Sequence, residues 1–477
     1  MPIRLYDSFA REVVDFVPLQ PGQVSIYVCG PTVQSEPHIG HLRSALVYDL
    51  WWRWFEHRGL DVTMVRNVTD IDDKILEKAG EGNEEWWKLA SRVEGEFHRA
   101  SDAIGIRRPA IEPRATGDIP AMVALIERLI DRGHAYTSDD GSGDVYFDVA
   151  SWPRYGELTR QKPEDMEPGD ATSAAKRSVQ DFALWKGHKD HEPQTASWPA
   201  PWGAGRPGWH LECSAMAGRY LGQAFDIHGG GLDLRFPHHE NEIAQSTAAG
   251  DDFARHWVHS ALVLVNGQKM SKSLGNSIFA GDWLEKARPI VIRYALSAAH
   301  YRSDIDLHDG ALGEAEKAFS RIEGFVERGR QLPEAPTVTT NAVVTHAELP
   351  DAFSAAMDDD LGVPEALGVL HDTVRRGNHA IDDGDHEVAA GARGEVLAML
   401  DVLGLNPHSA QWAHQSGSAD LASKHLETLV ATLLEARMKA RDSKDFALAD
   451  QIRDVLQAGG IDVMDTADGP QWSVRGS

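Results

Sequence analysis

The chain has 477 residues, about three times the usual single-domain length, which excludes a small module and points to two to four domains with ample apolar surface for their cores. A composition 42% hydrophobic and 25% charged is that of a folded globular chain and excludes a disordered one. With 47 basic against 73 acidic side chains the formal charge is −26; this disfavours a general DNA-coating or anionic-membrane role but allows a local basic strip, since phosphate attraction acts within a Debye length of about 8 Å.

Residues 1–7 lack the basic-then-apolar order of a signal peptide, and no apolar run approaches the roughly 20 residues that span a bilayer. Only two cysteines are present, Cys29 and Cys213, so a reducing, cytoplasmic setting with no membrane partner is expected. Residues 24–28 are β-branched and aromatic and end at Cys29-Gly30-Pro31, which predicts a buried strand running into a loop. A helix is predicted from about residue 41, with Leu42, Leu46, Leu50 and Trp54 at four-residue spacing and Gly59 as its stop. Residues 62–66 follow as a second strand. Strand, helix and strand in this order predict a βαβ unit, the seed of a split doubly wound (Rossmann-type) parallel sheet.

From residue 119 a short helix, a strand at 145–149 and a Pro/Gly/Trp-rich stretch reaching 208 read as an insertion that splits the sheet domain. Sheet signal resumes at 224–228 and at 261–265. Beyond residue 311 the pattern is helical, with linker-like composition over 332–350 and a loose stretch over 406–420. A helix pair over 426–441 and 445–456 and a closing hairpin around Asp468 and Gly469 complete the chain.

Two strings could bind phosphate. Pro37-His38-Ile39-Gly40-His41 sits where the first strand has turned into the first helix, the place where phosphates meet exposed N–H groups and the helix dipole. His38 and His41 can donate to a phosphate, and Gly40 would let a flat base approach the backbone. On its own this string also fits a solvated loop. Gln268-Lys269-Met270-Ser271-Lys272-Ser273-Leu274-Gly275-Asn276 follows the strand expected at 261–265. Lys269 and Lys272, interleaved with hydroxyls, suit a mobile loop that neutralises a polyphosphate, with a surface turn as the bland alternative.

These two strings are the His-Ile-Gly-His and Lys-Met-Ser-Lys-Ser signatures of the class I aminoacyl-tRNA synthetases, which the chain closely resembles. Over nearly its whole length it is similar to the cysteinyl branch of that class. The supporting segments are 66–74 (Arg-Asn-Val-Thr-Asp-Ile-Asp-Asp-Lys), 208–216 (Gly-Trp-His-Leu-Glu-Cys-Ser-Ala-Met), 225–231 (Phe-Asp-Ile-His-Gly-Gly-Gly) and 236–246 (Phe-Pro-His-His-Glu-Asn-Glu-Ile-Ala-Gln-Ser). A departure lies at Gln34 and Ser35, where the family often carries Tyr-Asp. The resemblance implies a catalytic domain at 1–118 and 205–265 split by a connective insertion at 119–204. It further implies a lysine-loop and tRNA stem-contact region at 266–310, a helical bundle at 311–405 and a C-terminal anticodon-recognition region at 406–477.

Pro237 is a good first helical residue, after which His238 and Glu242, four apart, face the same way and can hold one ion. Cys29 and Cys213 could complete a set of two thiolates, an imidazole and a carboxylate, although spacings this wide are not diagnostic and from the residues alone two buried structural thiols are the better reading. The resemblance assigns these four as ligands of one zinc ion per chain. It also implies ATP with Mg2+ as substrate, held through His38, Gly40, His41, Asp233, Lys269, Ser271, Lys272 and Ser273, and places Thr69, Trp209 and His228 around a bound amino acid.

The activity implied is a cysteine–tRNA ligase that joins L-cysteine to ATP as an adenylate and transfers it to tRNA(Cys), with a monomer as the expected state. Zinc would supply the discrimination that an apolar pocket, limited to about 10²-fold, cannot provide against serine. Arg437, Arg441 and Lys444, spaced i, i+4, i+7, are expected on one helix face. Such a stripe is usually a solvated charged face, and the resemblance makes it a candidate anticodon contact; Arg302 likewise falls in a segment near the tRNA acceptor end. Two alternatives remain at this point: the cysteine ligase of mycothiol synthesis, which shares the adenylation step, and a non-catalytic synthetase-like zinc protein.

Overall fold

The structure is a computed structural model that describes residues 2–165, 175–270, 275–332, 338–340, 343–345, 347–466 and 469–474. It falls into two compact units, residues 1–406 and 407–477.

In the first unit an N-terminal hairpin, β1 (Arg4–Asp7) with β2 (Glu12–Asp15), precedes the expected βαβ unit. That unit consists of β3 (Gln23–Val28), α1 (Ile39–His57) and β4 (Asp61–Arg66). Leu42, Leu46, Leu50 and Trp54 of α1 are all buried, as their spacing predicted. Two helices follow, α2 (Asp73–Glu81) and α3 (Trp86–Ala103). After α4 (Ile119–Asp131) the insertion forms an antiparallel sheet in the order β5 (Ala135–Thr137), β6 (Val145–Phe147), β7 (Phe182–Gly187), β8 (Gly205–Pro207). The sheet domain resumes with α5 (Trp209–Leu221), β9 (Ala224–Gly231), α6 (Glu240–Ala248) and β10 (Phe253–Ser260).

The main sheet has the order β10-β9-β3-β4 with every pair parallel. The chain therefore leaves β3 in one direction and β9 in the other. Right-handed crossovers then place α1 and α6 on opposite faces, and a crevice opens at the carboxyl ends of β3 and β9, the topological switch point. Its core includes Ile26, Val28, Met64, Val65, Phe225, Ile227, Trp257 and Val258, all buried.

One expectation is corrected here. The last strand of the main sheet is β10, not residues 261–265. β11 (Val263–Val265) belongs to a separate small sheet with β12 (Gln268–Lys269) and β13 (Ile305–Asp306). Arg255, His256 and His259 break the apolar run of β10, yet both histidines are buried and bonded: His256 Nδ1 lies 3.2 Å from Asp7 Oδ2, and His259 Nδ1 lies 2.8 Å from Ser8 Oγ.

Helices α7 (Ala280–Lys286), α8 (Pro289–Ser297), α9 (Ala311–Arg328), α10 (Asp351–Asp358), α11 (Val363–Asp382) and α12 (His386–Leu403) complete the first unit. The stretch expected as a linker holds a short antiparallel pair, Val338–Thr340 with Val343–Thr345. Buried polar groups tie these helices to the sheet domain. Arg293 of α8, fully buried, reaches Asp49 Oδ2 of α1 at 2.5 Å, the Gly105 carbonyl at 3.0 Å and the Leu403 carbonyl at the end of α12 at 2.9 Å. Asp360 accepts from the Tyr6 N–H at 2.7 Å, from Tyr301 Oη at 2.5 Å and from Arg302 Nε at 2.6 Å.

In the second unit α13 (Ala410–Asp442) begins inside the stretch read as loose. α14 (Phe446–Ala458) and an antiparallel hairpin, Ile461–Thr466 with Gly469–Val474, follow; Asp468 lies outside the described residues. Val430, Leu434, Ile452, Leu456 and Ile461 form its small core. Among the described residues no helix is long and apolar enough to cross a membrane.

Candidate functional site

A cavity of about 520 Å³ occupies the switch-point crevice, within the size range of ligand pockets. Its lining includes Cys29, Gln34, Ser35, His38, Gly40, His41, Arg66, Lys74, Lys78, Trp209, Asp233, Lys269 and Met270. The two signature strings thus meet on one cavity.

Their junction is made by backbone. The Ile39 N–H donates to the Ile278 carbonyl and the Ala280 N–H to the Pro37 carbonyl, both at 2.9 Å, so the start of α1 is bridged to the segment that follows the lysine string. His38 caps α1, whose first turn carries no acidic residue, so the positive end of the helix dipole at this point is not offset by a carboxylate of that turn. The His38 and His41 rings stack with centroids 3.7 Å apart. His41 Nδ1 accepts the His38 N–H at 3.3 Å, which makes Nε2 the protonated nitrogen of a neutral His41 ring. A Cβ at Gly40 would stand 3.0 Å from the His38 ring and 3.2 Å from Met270 Cε, so glycine allows the two strings to close up. Lys269 ends β12, and its carbonyl accepts from Asn276 Nδ2 at 3.2 Å. Ser271, Lys272 and Ser273 lie outside the described residues.

At the floor four donors converge. Cys29 follows β3, Cys213 sits in α5, His238 in the turn before α6 and Glu242 in α6; their ligand atoms all lie within 4.8 Å of one another. The Cys29 and Cys213 sulfurs are 3.6 Å apart, Cys29 Sγ is 3.2 Å from Glu242 Oε1, and His238 Nε2 is 3.1 Å from the same oxygen. His238 precedes α6 rather than lying within it, because Phe236 is extended (φ −138°, ψ 135°) and the regular helix starts at Glu240.

Burial pushes both thiols up, the Cys29 thiol far up, and pushes the His238 imidazole well below its usual range. Neutral thiols beside a buried carboxylate are a poor resting arrangement. A divalent cation would remove the penalty by taking thiolate, neutral imidazole and carboxylate together. Two sulfurs, one nitrogen and one oxygen fit zinc and do not fit magnesium or calcium. A second grouping, Cys29 with His228 and His239, is close enough in space. It is the weaker candidate, since it brings together three donors where the first supplies the four of a tetrahedral set.

Several residues hold this set in place. His228, fully buried, orients Glu242 from behind. Thr69 is also buried and donates to Glu212 Oε2 at 3.0 Å. Neither lines the cavity among the described residues, so both support it from one layer back. Trp209 does line it and stacks on His238 with centroids 4.1 Å apart.

Sequence reasoning gave no role to three further supports. Asn67 Oδ1 accepts the Gly30 N–H at 2.8 Å and faces Cys213 Sγ at 3.6 Å. His210 Nδ1 lies 2.9 Å from His238 Nδ1 and so directs Nε2 toward Glu242. Tyr48 Oη lies 2.9 Å from the Gly230 carbonyl oxygen and 2.8 Å from that of Val258, with one proton to donate to either. Its ring would stand 2.3 Å from a Cβ at Gly229, which requires glycine there. The adjacency of Asn67 and His210 to Thr69 and Cys213 was the available signal; Tyr48 lay hidden in an apolar helix.

The basic candidates away from the cavity fare differently. Arg302 is engaged by Asp360 at 2.6 Å and lies over the Tyr6 ring at 4.5 Å. The one helix face expected for Arg437, Arg441 and Lys444 is corrected. Arg437 is 6% exposed, on the same side of α13 as Leu434 and Ala440, whereas Arg441 and Lys444 are exposed. Lys444 lies beyond the end of α13 at φ 63°, so helical spacing no longer applies to it.

Comparison with known proteins agrees with this architecture. Residues 15–317 match the tRNA synthetases class I (C) catalytic domain, residues 352–406 the DALR domain, and residues 425–472 the cysteinyl-tRNA ligase anticodon binding domain. The chain is 59% identical to the cysteine–tRNA ligases of Clavibacter sepedonicus and of Leifsonia xyli subsp. xyli, in each case over 100% of both chains. It is 54% identical to that of Micrococcus luteus over 99% of both. Its fold is similar to that of Mycobacterium tuberculosis methionyl-tRNA synthetase in complex with methionyl-adenylate, with a TM-score of 0.55 at 15% identity over 80% of this chain and 90% of that one. A split parallel sheet with both signature strings on one crevice and full-length identity of this order leave one conclusion: the chain belongs to the cysteine–tRNA ligase family of class I aminoacyl-tRNA synthetases.

Proposed function

We propose that the crevice activates L-cysteine with Mg-ATP and passes the cysteinyl group to the terminal ribose hydroxyl of tRNA(Cys). The observation that carries this reading is that Cys29, at the donor set, lines the same cavity as His38, His41, Asp233 and Lys269. Cysteine's carboxylate attacks the α-phosphate, pyrophosphate leaves, and the ribose hydroxyl then displaces AMP from the adenylate. His38, His41 and the first turn of α1 hold the triphosphate, with Gly40 under the base and Asp233 at the ribose. Lys269 and Lys272, flanked by Ser271 and Ser273, neutralise charge that develops on the phosphates. No protein nucleophile is required, because orientation and fixed charge supply the rate.

Cys29, Cys213, His238 and Glu242 would hold zinc, which when bound ligates a thiol far better than a hydroxyl. Trp209 walls the amino acid site, and Thr69 and His228 act through Glu212 and Glu242. In the second unit Arg441 and Lys444 are the exposed members of the candidate anticodon strip, and Arg437 is its buried member.

The test is ATP–pyrophosphate exchange with cysteine, with serine and with no amino acid, followed by charging of purified tRNA. Exchange that requires cysteine, then charging, is expected; exchange equal with serine overturns the selectivity, and absence of exchange overturns the reading. A chain ending at Asn406 keeps the first unit whole. It is expected to retain cysteine-dependent exchange while kcat/KM for tRNA falls at least about tenfold, equivalent to ~1.4 kcal/mol. Undiminished charging by that chain removes the anticodon role of residues 407–477.

A further inference from the structure

The crevice reverses the sign of the chain. Arg66, Lys74, Lys78 and Lys269 line it, with Asp233 as the one acidic side chain among its described lining residues, in a protein with 73 acids against 47 bases. The nucleotide assignment uses groups that follow β9 and β10 or start α1. Lys74 and Lys78 come from the other flank, since α2 follows β4, the edge strand on the far side of β3 from β9 and β10. Adenylation therefore leaves them without a task.

Their surroundings suit a chain of phosphates. Lys74 and Lys78 stand one turn apart on α2, both exposed, with Cβ atoms about 5–6 Å apart as for any i, i+4 pair. Asp73, Glu77 and Glu81 form the neighbouring row of the same helix, and none of them lines the crevice. Asp73 is already neutralised by Lys186 Nζ at 2.6 Å and by Arg206. The Lys74 side chain has no ion-pair partner among the described residues. Lys78 pairs with Glu81 at 2.6 Å with both groups about half exposed, a weak link in water that an incoming anion can displace. Arg66, by contrast, is buried, bound to Glu112 Oε1 at 2.8 Å and stacked over the Phe97 ring at 5.0 Å, so it shapes the wall.

We propose that Lys74 and Lys78 bind the last two phosphodiesters of the tRNA acceptor strand and so set its terminal ribose against the adenylate. This rests on the reading that tRNA is the acceptor. Two ammonium groups in a row suit consecutive phosphates of a single strand, and their flank leaves the α1 side to ATP. The pair acts on the second half-reaction alone.

The experiment is the Lys74→Ala/Lys78→Ala double variant in the full chain. Cysteine-dependent ATP–pyrophosphate exchange should stay within about twofold, the range of a surface substitution. KM for tRNA should rise about tenfold with a smaller change in kcat, uniformly across tRNA sequences that share the acceptor end. The log–log salt dependence of tRNA binding should flatten by about 1.4, at ~0.7 for each single-strand phosphate contact. Lys74→Arg/Lys78→Arg should preserve charging, because a cation remains in each place. Unchanged KM and salt slope in the alanine variant overturn the assignment, as does exchange that falls in step with charging. Wild-type protein that activates cysteine but charges no tRNA overturns the acceptor reading together with the lysine assignment; equal charging by wild type and variant overturns the lysine assignment alone.

Discussion

Cys213→Ala is expected to abolish retention of one zinc per chain and to weaken cysteine binding at least about 10²-fold, because loss of a mere supporting residue around a metal already costs 10–100-fold. Cys213 is 1% exposed and 3.6 Å from Cys29 Sγ, so no water can replace its sulfur without enlarging the site. ATP should bind the folded variant nearly as well as the wild type, since His38, His41 and Asp233 belong to other elements. The informative quantity is the ratio of the two affinities, measured by calorimetry on protein whose thermal unfolding remains cooperative, because metal loss also loosens structure. Equal loss of cysteine and ATP affinity would reduce the four donors to a structural role. A zinc-free wild type that still prefers cysteine over serine would remove the metal from selectivity.

His41→Ala is expected to lower the rate of adenylate formation about 10²- to 10³-fold, the cost of removing one donor aimed at developing charge. The stacked pair and the bond from the His38 N–H to Nδ1 fix the His41 ring before substrate arrives. Little of that loss should then come from reordering. Rapid-quench measurement at saturating ATP and cysteine separates the chemical step from binding. Lys269→Ala in the same background should add less than its effect alone, since the two groups serve one phosphate chain. An adenylation rate equal to wild type in His41→Ala would place the triphosphate elsewhere.

Much of the site was legible in the sequence because its residues sit at the ends of strongly patterned elements. The apolar run of β3 stops at Cys29, and the four-residue spacing of α1 fixes where His38 and His41 must lie. β10 was not legible: its histidines are polar in sequence yet buried in place, satisfied by Asp7 and Ser8 from β1 and the turn after it, a partnership no local window reveals. The start of α13 was hidden by small and polar residues over 410–420 that carry no periodic apolar face. Only the shared helix face expected of the basic strip was lost, since helical spacing was extended past the end of α13 to Lys444, where the backbone is left-handed. Thr69 and His228 were expected around the amino acid and stand behind the cavity lining instead, because a linear motif does not separate residues that touch a ligand from those that hold the ones that do.

The guanidinium of Arg293 also bears on how such a chain can be divided and recombined. It is wholly enclosed and binds α1, the loop after α3 and the last carbonyl of α12 at once. A cut at residue 310, where composition turns helical, would strip this cation of its Leu403 partner and leave it facing solvent-filled space beside the helix that carries His38 and His41. Residues 311–406 are therefore inherited with the sheet rather than appended to it. Chimeras between relatives should exchange parts at residue 406, the end of the first compact unit, and a graft made at 310 should arrive with α1 already loosened.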